Sequence, residues 1–273
     1  MAQEIERIVV PLDAASETVT AIDTAVRLAA RWQVPVHGLF VEDEELIGLA
    51  SLPFARQVTL GAGLEPLTKD QVEDHFHAAA ARARRELAAT ADQHDVKWSF
   101  EVARGPLAAT MLAGDHDLVV AGATTRPIGD YFRLSSRCWS WMETVGRPFL
   151  LAKRAWETGG SVFTLLRGRG AQSAQTLDIA AQIAGFHSRT LTVAGAFDLA
   201  AQDDFAAWVS GLLEGHSLNL QTEPEALEPA ALRQRILELD CRLVVLEAGE
   251  QDGSTGHLRE LVEHLTCDVL LIR

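Results

Sequence analysis

The apolar run DLVVAG, Asp117 to Gly122, ends in a glycine and passes into a polar loop that reaches the pair Ser135-Ser136. A glycine at the end of such a run lets backbone approach a ligand closely. Two hydroxyls further on can cap a helix, and a helix N-terminus attracts anions. This is the layout of a phosphate-holding loop, although Ser135-Ser136 also reads simply as an N-cap. Asp13 closes a second apolar run, RIVVPLD. It too has two readings, contact with a ligand or an N-cap for the helix that Ser16 and Thr18 announce. No other cluster suggests chemistry. His75 and His77 lie two apart on a helical pattern and face different directions. His257 and His264 share a face, as packing residues would. Cys138, Cys241 and Cys267 lack metal-site spacing and suit a reducing compartment. Hydrolysis of a nucleotide needs a metal or a group that positions water, and Asp13 is the one evident candidate. The chain is therefore expected not to be an enzyme and to hold no metal.

Alternating strands and helices must position these residues. In the first half, short apolar runs at 7–13, 34–43, 96–105, 117–122 and 148–154 read as strands. Helical patterns cover 16–32 and 70–94, and a proline opens a third at 106–115. Strands separated by helices indicate a parallel sheet. The second half repeats the plan, with strands at 161–169, 189–198, 217–224, 242–249 and 268–273 and a helix at 171–186. Sliding the first half by 155 residues lays Ile22-Asp23 on Leu177-Asp178, and a slide of 125 lays Leu118-Val119-Val120 on Leu243-Val244-Val245. Hydrophobic and polar positions agree together, as an internal duplication requires. The expected domains are 1–155 and 156–273, divided at RAWETGG. Each is expected to be a doubly wound five-stranded parallel sheet of order 3-2-1-4-5 with helices on both faces. Ligands on such sheets sit at the carboxyl ends of the strands, where the order reverses. Asp13 and Gly122 fall there.

With RIVVPLDAAS, VPVHGLFVED, ARGPLAATML and DLVVAGATT…LSSRCWSW…PFLLAKR in this order and spacing, the chain resembles a tandem universal stress protein over nearly its whole length. Nucleotide-binding members of that family carry G-x2-G-x9-G-[ST] after the fourth strand, and their first-strand aspartate meets the adenosine. Here the register is kept and the residues have changed, because Gly122, Thr125, Ser135 and Ser136 spell G-x2-T-x9-S-S. The resemblance thus implies a site of Pro11, Leu12, Asp13, Val41, Gly122, Thr125, Ser135 and Ser136. Its side chains at Thr125 and Ser135 stand where the family has none. At the same offsets the second half has Gly168 for Asp13 and Glu247 for Gly122. A carboxylate there repels phosphate by about 4 kcal/mol at ~4 Å and an effective dielectric of ~20. Two functional readings stay open. One is a stress-response or regulatory protein taking an adenine nucleotide, ATP or AMP, in its first half alone. The other is an interaction module that binds no nucleotide and acts on a transporter or enzyme partner.

Net charge of −14 disfavours nucleic acid and anionic membranes. No apolar run approaches the ~20 residues that span a bilayer, so membrane insertion is not expected. The acidic N-terminal residues lead straight into a strand, and the expected address is the cytoplasm. Two features have alternative uses. Trp139, Trp141 and Met142 suit either a domain interface or an apolar lid. Residues 42–67, read as helical over EELIGLASLPFARQV and ending in the loop GAGLEPL, exceed a simple connection and suit a lid or a partner surface. Finally, PFLLAKR and CDVLLIR would each lie at a sheet edge, which proteins cover. The family pairs such edges between domains, so the two are expected to lie antiparallel about a pseudo-twofold axis. Further pairing into a homo-oligomer stays open.

Overall fold

In a computed structural model the described residues are 5–14, 18–59, 63–105, 117–123, 139, 141–142, 146–156, 159–187, 190–195, 202–224, 229–247 and 255–272. The first half runs β1 (Arg7–Leu12), α1 (Thr18–Trp32), β2 (Val36–Glu42), α2 (Glu44–Ala50), β3 (Arg56–Thr59), β4 (Gly63–Pro66), α3 (Lys69–Gln93), β5 (Trp98–Arg104), β6 (Asp117–Gly122) and β7 (Phe149–Ala152). The second runs β8 (Ser161–Leu166), α4 (Ala171–His187), β9 (Thr190–Gly195), α5 (Gln202–Leu212), β10 (Asn219–Pro224), α6 (Pro229–Glu238), β11 (Cys241–Glu247), α7 (Thr255–His264) and β12 (Asp268–Ile272).

Ten of these strands form one sheet in the order β10-β9-β8-β11-β12-β7-β6-β1-β2-β5. Each half is therefore a parallel 3-2-1-4-5 unit, as the alternating pattern predicts. Alternate residues of each strand feed two cores. Ile8, Val10, Leu118 and Val162 lie in one, with Ile22 of α1, Phe76 of α3, Leu177 of α4 and Phe205 of α5. Val9, Val119, Phe149 and Val244 lie in the other, with Ile236 of α6 and Val262 of α7. Strands buried on both faces must read as continuous apolar runs, and these do.

Local signals set the ends of the elements. Thr68 and Gln71 form a reciprocal capping box at the start of α3. Asp43 caps α2 by accepting from the N–H groups of Glu45 and Leu46. α1 ends where Gln33 adopts φ 59° and Val34 N–H returns to Ala29 O at 3.1 Å. Asp95 and Val96 close α3 in the same way. Gly38 in β2 serves packing, since a Cβ there would meet Leu87 of α3 at 2.7 Å. In place of a helix over EELIGLASLPFARQV and a loop at GAGLEPL, the chain forms the short α2 followed by the antiparallel hairpin β3–β4. The strands RQVT and GLEP are too short to show an alternating pattern.

The two halves meet where β7 and β12 pair antiparallel, Phe149 with Leu271, Leu150 with Leu270 and Leu151 with Val269. Polar contacts reinforce this seam. Asp268, in β12, accepts hydrogen bonds from the backbone N–H groups of Lys153 (2.7 Å) and Arg154 (3.2 Å). Lys153 Nζ donates to the carbonyls of Val262 and Leu265, placing a cation at the C-terminal end of α7. Trp139 donates its indole N–H to Glu263 at 3.2 Å and lies under the Arg259 guanidinium. Trp139, Trp141 and Met142 lie in the buried cluster that also holds Leu261 and Val262 of α7 and Leu265 just beyond it. Trp139 thus reaches across the seam.

Asp268 gives the seam a pH dependence. Burial pushes its carboxyl up to about 6, against the opposing pull of two backbone N–H donors and the cations of Lys153 and Arg154. A folded-state pKa above the unfolded one means the native chain holds the proton more tightly. That stabilisation is complete below about pH 4 and is lost as pH rises through about 6. Two units correspond to ~3 kcal/mol. Asp268→Asn, which keeps a carbonyl to accept from Lys153 N–H, should flatten this slope in urea melts between pH 4 and 7. A variant that retains the wild-type slope would assign it elsewhere.

Candidate functional site

The sheet order reverses between β1 and β6, and the carboxyl ends of β6, β1 and β2 are neighbours there. This brings together five of the expected residues, Pro11, Leu12, Asp13, Val41 and Gly122. β1 pairs β2 with Leu12 beside Phe40, so one more step along that register sets Asp13 level with Val41. Asp13 is 6% exposed and Val41 5%. The Leu12 side chain is wholly buried in the core beneath α1 and α3, which leaves only its backbone for a ligand. Thr125, Ser135 and Ser136 lie outside the described residues, as does Ser16.

One residue type accounts for the shape of this end of the sheet. The β1–β6 register stops at Val9 beside Val119, although both strands continue for three residues more. Ile8 N–H donates to Pro35 O, on the β2 side, so odd-numbered residues of β1 direct their nitrogens toward β6. Pro11 is one of them and has no N–H to give. The next rung would have joined residue 11 to Val120 O, and Pro11 removes it from the ladder. The second half supplies a control within the same molecule. There the β8–β11 register continues to Leu165 beside Leu246. Matching Ile8·Leu118 with Val162·Leu243 puts Leu165, which has an N–H, in the place of Pro11.

The same match corrects the alignment by one residue. Arg167, not Gly168, stands where Asp13 does, and Glu247 stands where Gly122 does. Glu247 is 6% exposed, and one carboxylate oxygen accepts from Arg167 N–H at 2.9 Å. The two halves thus differ at this end, the second having a longer ladder and a carboxylate tied across the strand ends.

Sequence reading missed the rim of the first site. Glu42, the last residue of β2, is 3% exposed and is held by its register partner Arg104, which also reaches Glu73 at 3.2 Å. An acid ending an apolar strand was the available signal, since a buried carboxylate needs a partner. Asp13, at the end of β1, is the second buried carboxylate at this end of the sheet.

Among the described residues no group of three or more His, Cys, Asp and Glu could hold a metal ion. The Cys267 thiol is pushed up to about 12 by burial, which removes it as a nucleophile. No helix among them is long and apolar enough to cross a membrane.

No family model and no curated protein matches the sequence. Solved structures do. A universal stress protein from Archaeoglobus fulgidus DSM 4304 superposes with a TM-score of 0.73 over 98% of each chain, at 10% identity. The chain has the universal stress protein fold. A functionally unknown protein from Pseudomonas aeruginosa PAO1 superposes with a TM-score of 0.64 at 17% identity, over 99% of this chain and 93% of that one. Both matches run across the ten-stranded sheet, so the paired arrangement is part of the shared fold.

Proposed function

We propose that the chain is a tandem universal stress protein, with domains 1–155 and 156–273, that binds an adenine nucleotide, ATP or AMP, in its first domain alone. It acts in the cytoplasm as a regulatory protein and not as an enzyme. The observation that carries this reading is the contrast between a β1–β6 ladder that stops at Val9, ahead of Pro11, and a β8–β11 ladder that runs on through Leu165, with Glu247 bonded to Arg167 N–H. Asp13 and Val41 would meet the nucleoside, and Gly122, Thr125, Ser135 and Ser136 the phosphates. Calorimetric titration with ATP and AMP should give one site per chain. Two equivalent sites would sink the asymmetry, and the absence of heat with either nucleotide would favour the second reading. In that reading the chain is an interaction module acting on a transporter or enzyme partner, and its specific support is the exposed surface of α2 and its hairpin.

A further inference from the structure

We propose that the outer face of α2 and the β3–β4 hairpin docks a basic amphipathic helix of a partner protein. The connection from Glu42 to Lys69 has no counterpart in the second half, where only residues 196–201 separate β9 from α5. One side of α2 is spoken for, because Leu46, Ile47 and Ala50 pack on the core. The other side presents Glu45, Gly48 and Leu49 to solvent and continues into Leu52, whose N–H bonds back to Leu49 O. The turn that follows ties the helix end to the hairpin through Ala55 N–H to Leu52 O and Leu67 N–H to Ala55 O.

Within this unit Leu49 is 49% exposed, Leu52 41%, Phe54 73% and Leu64 64%. Half of the exposed large hydrophobic residues among those described fall in this one stretch, whereas scattered ones would need no explanation. Gly48 has open space over its Cα, which leaves a notch between Glu45 and Leu52 of the kind a helix ridge enters. Charge decides the occupant. Within residues 44–70 the exposed charges are Glu44, Glu45, Glu65 and Asp70, against Arg56 and Lys69. A second copy would bring acid against acid, and nucleic acid or an anionic membrane would be repelled likewise. A helix with one apolar and one basic face meets both properties.

The test uses the full chain and a fluorescent Leu/Lys peptide of about five helical turns, with a scrambled peptide of equal composition, at ~0.15 M salt. Anisotropy should show the amphipathic peptide binding about tenfold or more tightly than the scramble. Phe54→Ser with Leu64→Ser, both at exposed positions, should abolish that preference. Glu45→Lys with Glu65→Lys should weaken binding and its salt dependence. Equal binding of the two peptides to wild type, or a preference that survives in F54S/L64S, would overturn the proposal. So would concentration-dependent self-association in sedimentation that the same pair abolishes, which would give the face to a second copy.

Discussion

A chain ending at Arg154 should form a homodimer or aggregate where the full chain does not do so through this edge. Removing the second half strips β12 from β7 and exposes the edge of a strand whose residues Phe149, Leu150, Leu151 and Ala152 are all at most 1% exposed. An unpaired apolar edge seeks another strand. The register shows how a second copy would serve. The present ladder is centred on Leu150 beside Leu270, flanked by Leu151 beside Val269 and Phe149 beside Leu271. Two copies of β7 centred on Leu150 would place Phe149 beside Leu151 on each side, an apolar exchange of similar size. Truncation also removes Glu263 and Arg259 from Trp139, and fully burying a large apolar side chain is worth ~1.5–3 kcal/mol. Sedimentation velocity across a dilution series is the measurement. A well-behaved monomer would refute the role given to the seam.

Pro11→Leu should close the candidate site. Leucine is what the second half carries at the corresponding position, so the change is one the fold already accommodates in Leu165. It restores a nitrogen-bound hydrogen facing β6, and a ladder bond to Val120 O would contribute roughly 1 kcal/mol. The ladder would then run on beyond Val9, and nucleotide affinity should fall about tenfold or more, equivalent to ~1.4 kcal/mol. Amide exchange gives a readout independent of any ligand, because the new N–H at residue 11 should be protected as a ladder group. Fast exchange there would show that the proline is not what ends the ladder.

Much of the fold was legible because a sheet buried on both faces forces its strands into apolar runs, such as LVV at 118–120 and VLL at 269–271. The apolar ends PFLLAKR and CDVLLIR gave away the antiparallel seam, since an uncovered edge of that composition is costly. The hairpin was not legible, because RQVT and GLEP carry no alternation. For the site, Asp13 and Gly122 followed from topology alone. The one-residue slip between Gly168 and Arg167 could not be seen, because the offset is 154 from β1 to β8 and becomes 155 by the helix and strand that follow, one residue having been added between them. The partnership of Glu42 with Arg104 needed the β2–β5 register, which pairs residues 62 apart. Lys153 and Asp268 were hidden for the same reason, as their contact exists only once two distant strands are neighbours.

The joining of the halves by the short passage from Arg154 to Gly160 bears on how such a molecule changes over generations. When two identical subunits meet across a twofold axis, every substitution arises twice, and a carboxylate placed in one ligand space appears in the other. Here Glu247 could enter one half while Gly122 stayed in the other. Tethering also keeps the seam formed at any dilution, because neighbours on a short linker face an effective concentration on the order of millimolar. A scarce protein so built keeps its two halves paired, with no equilibrium between them set by its own abundance.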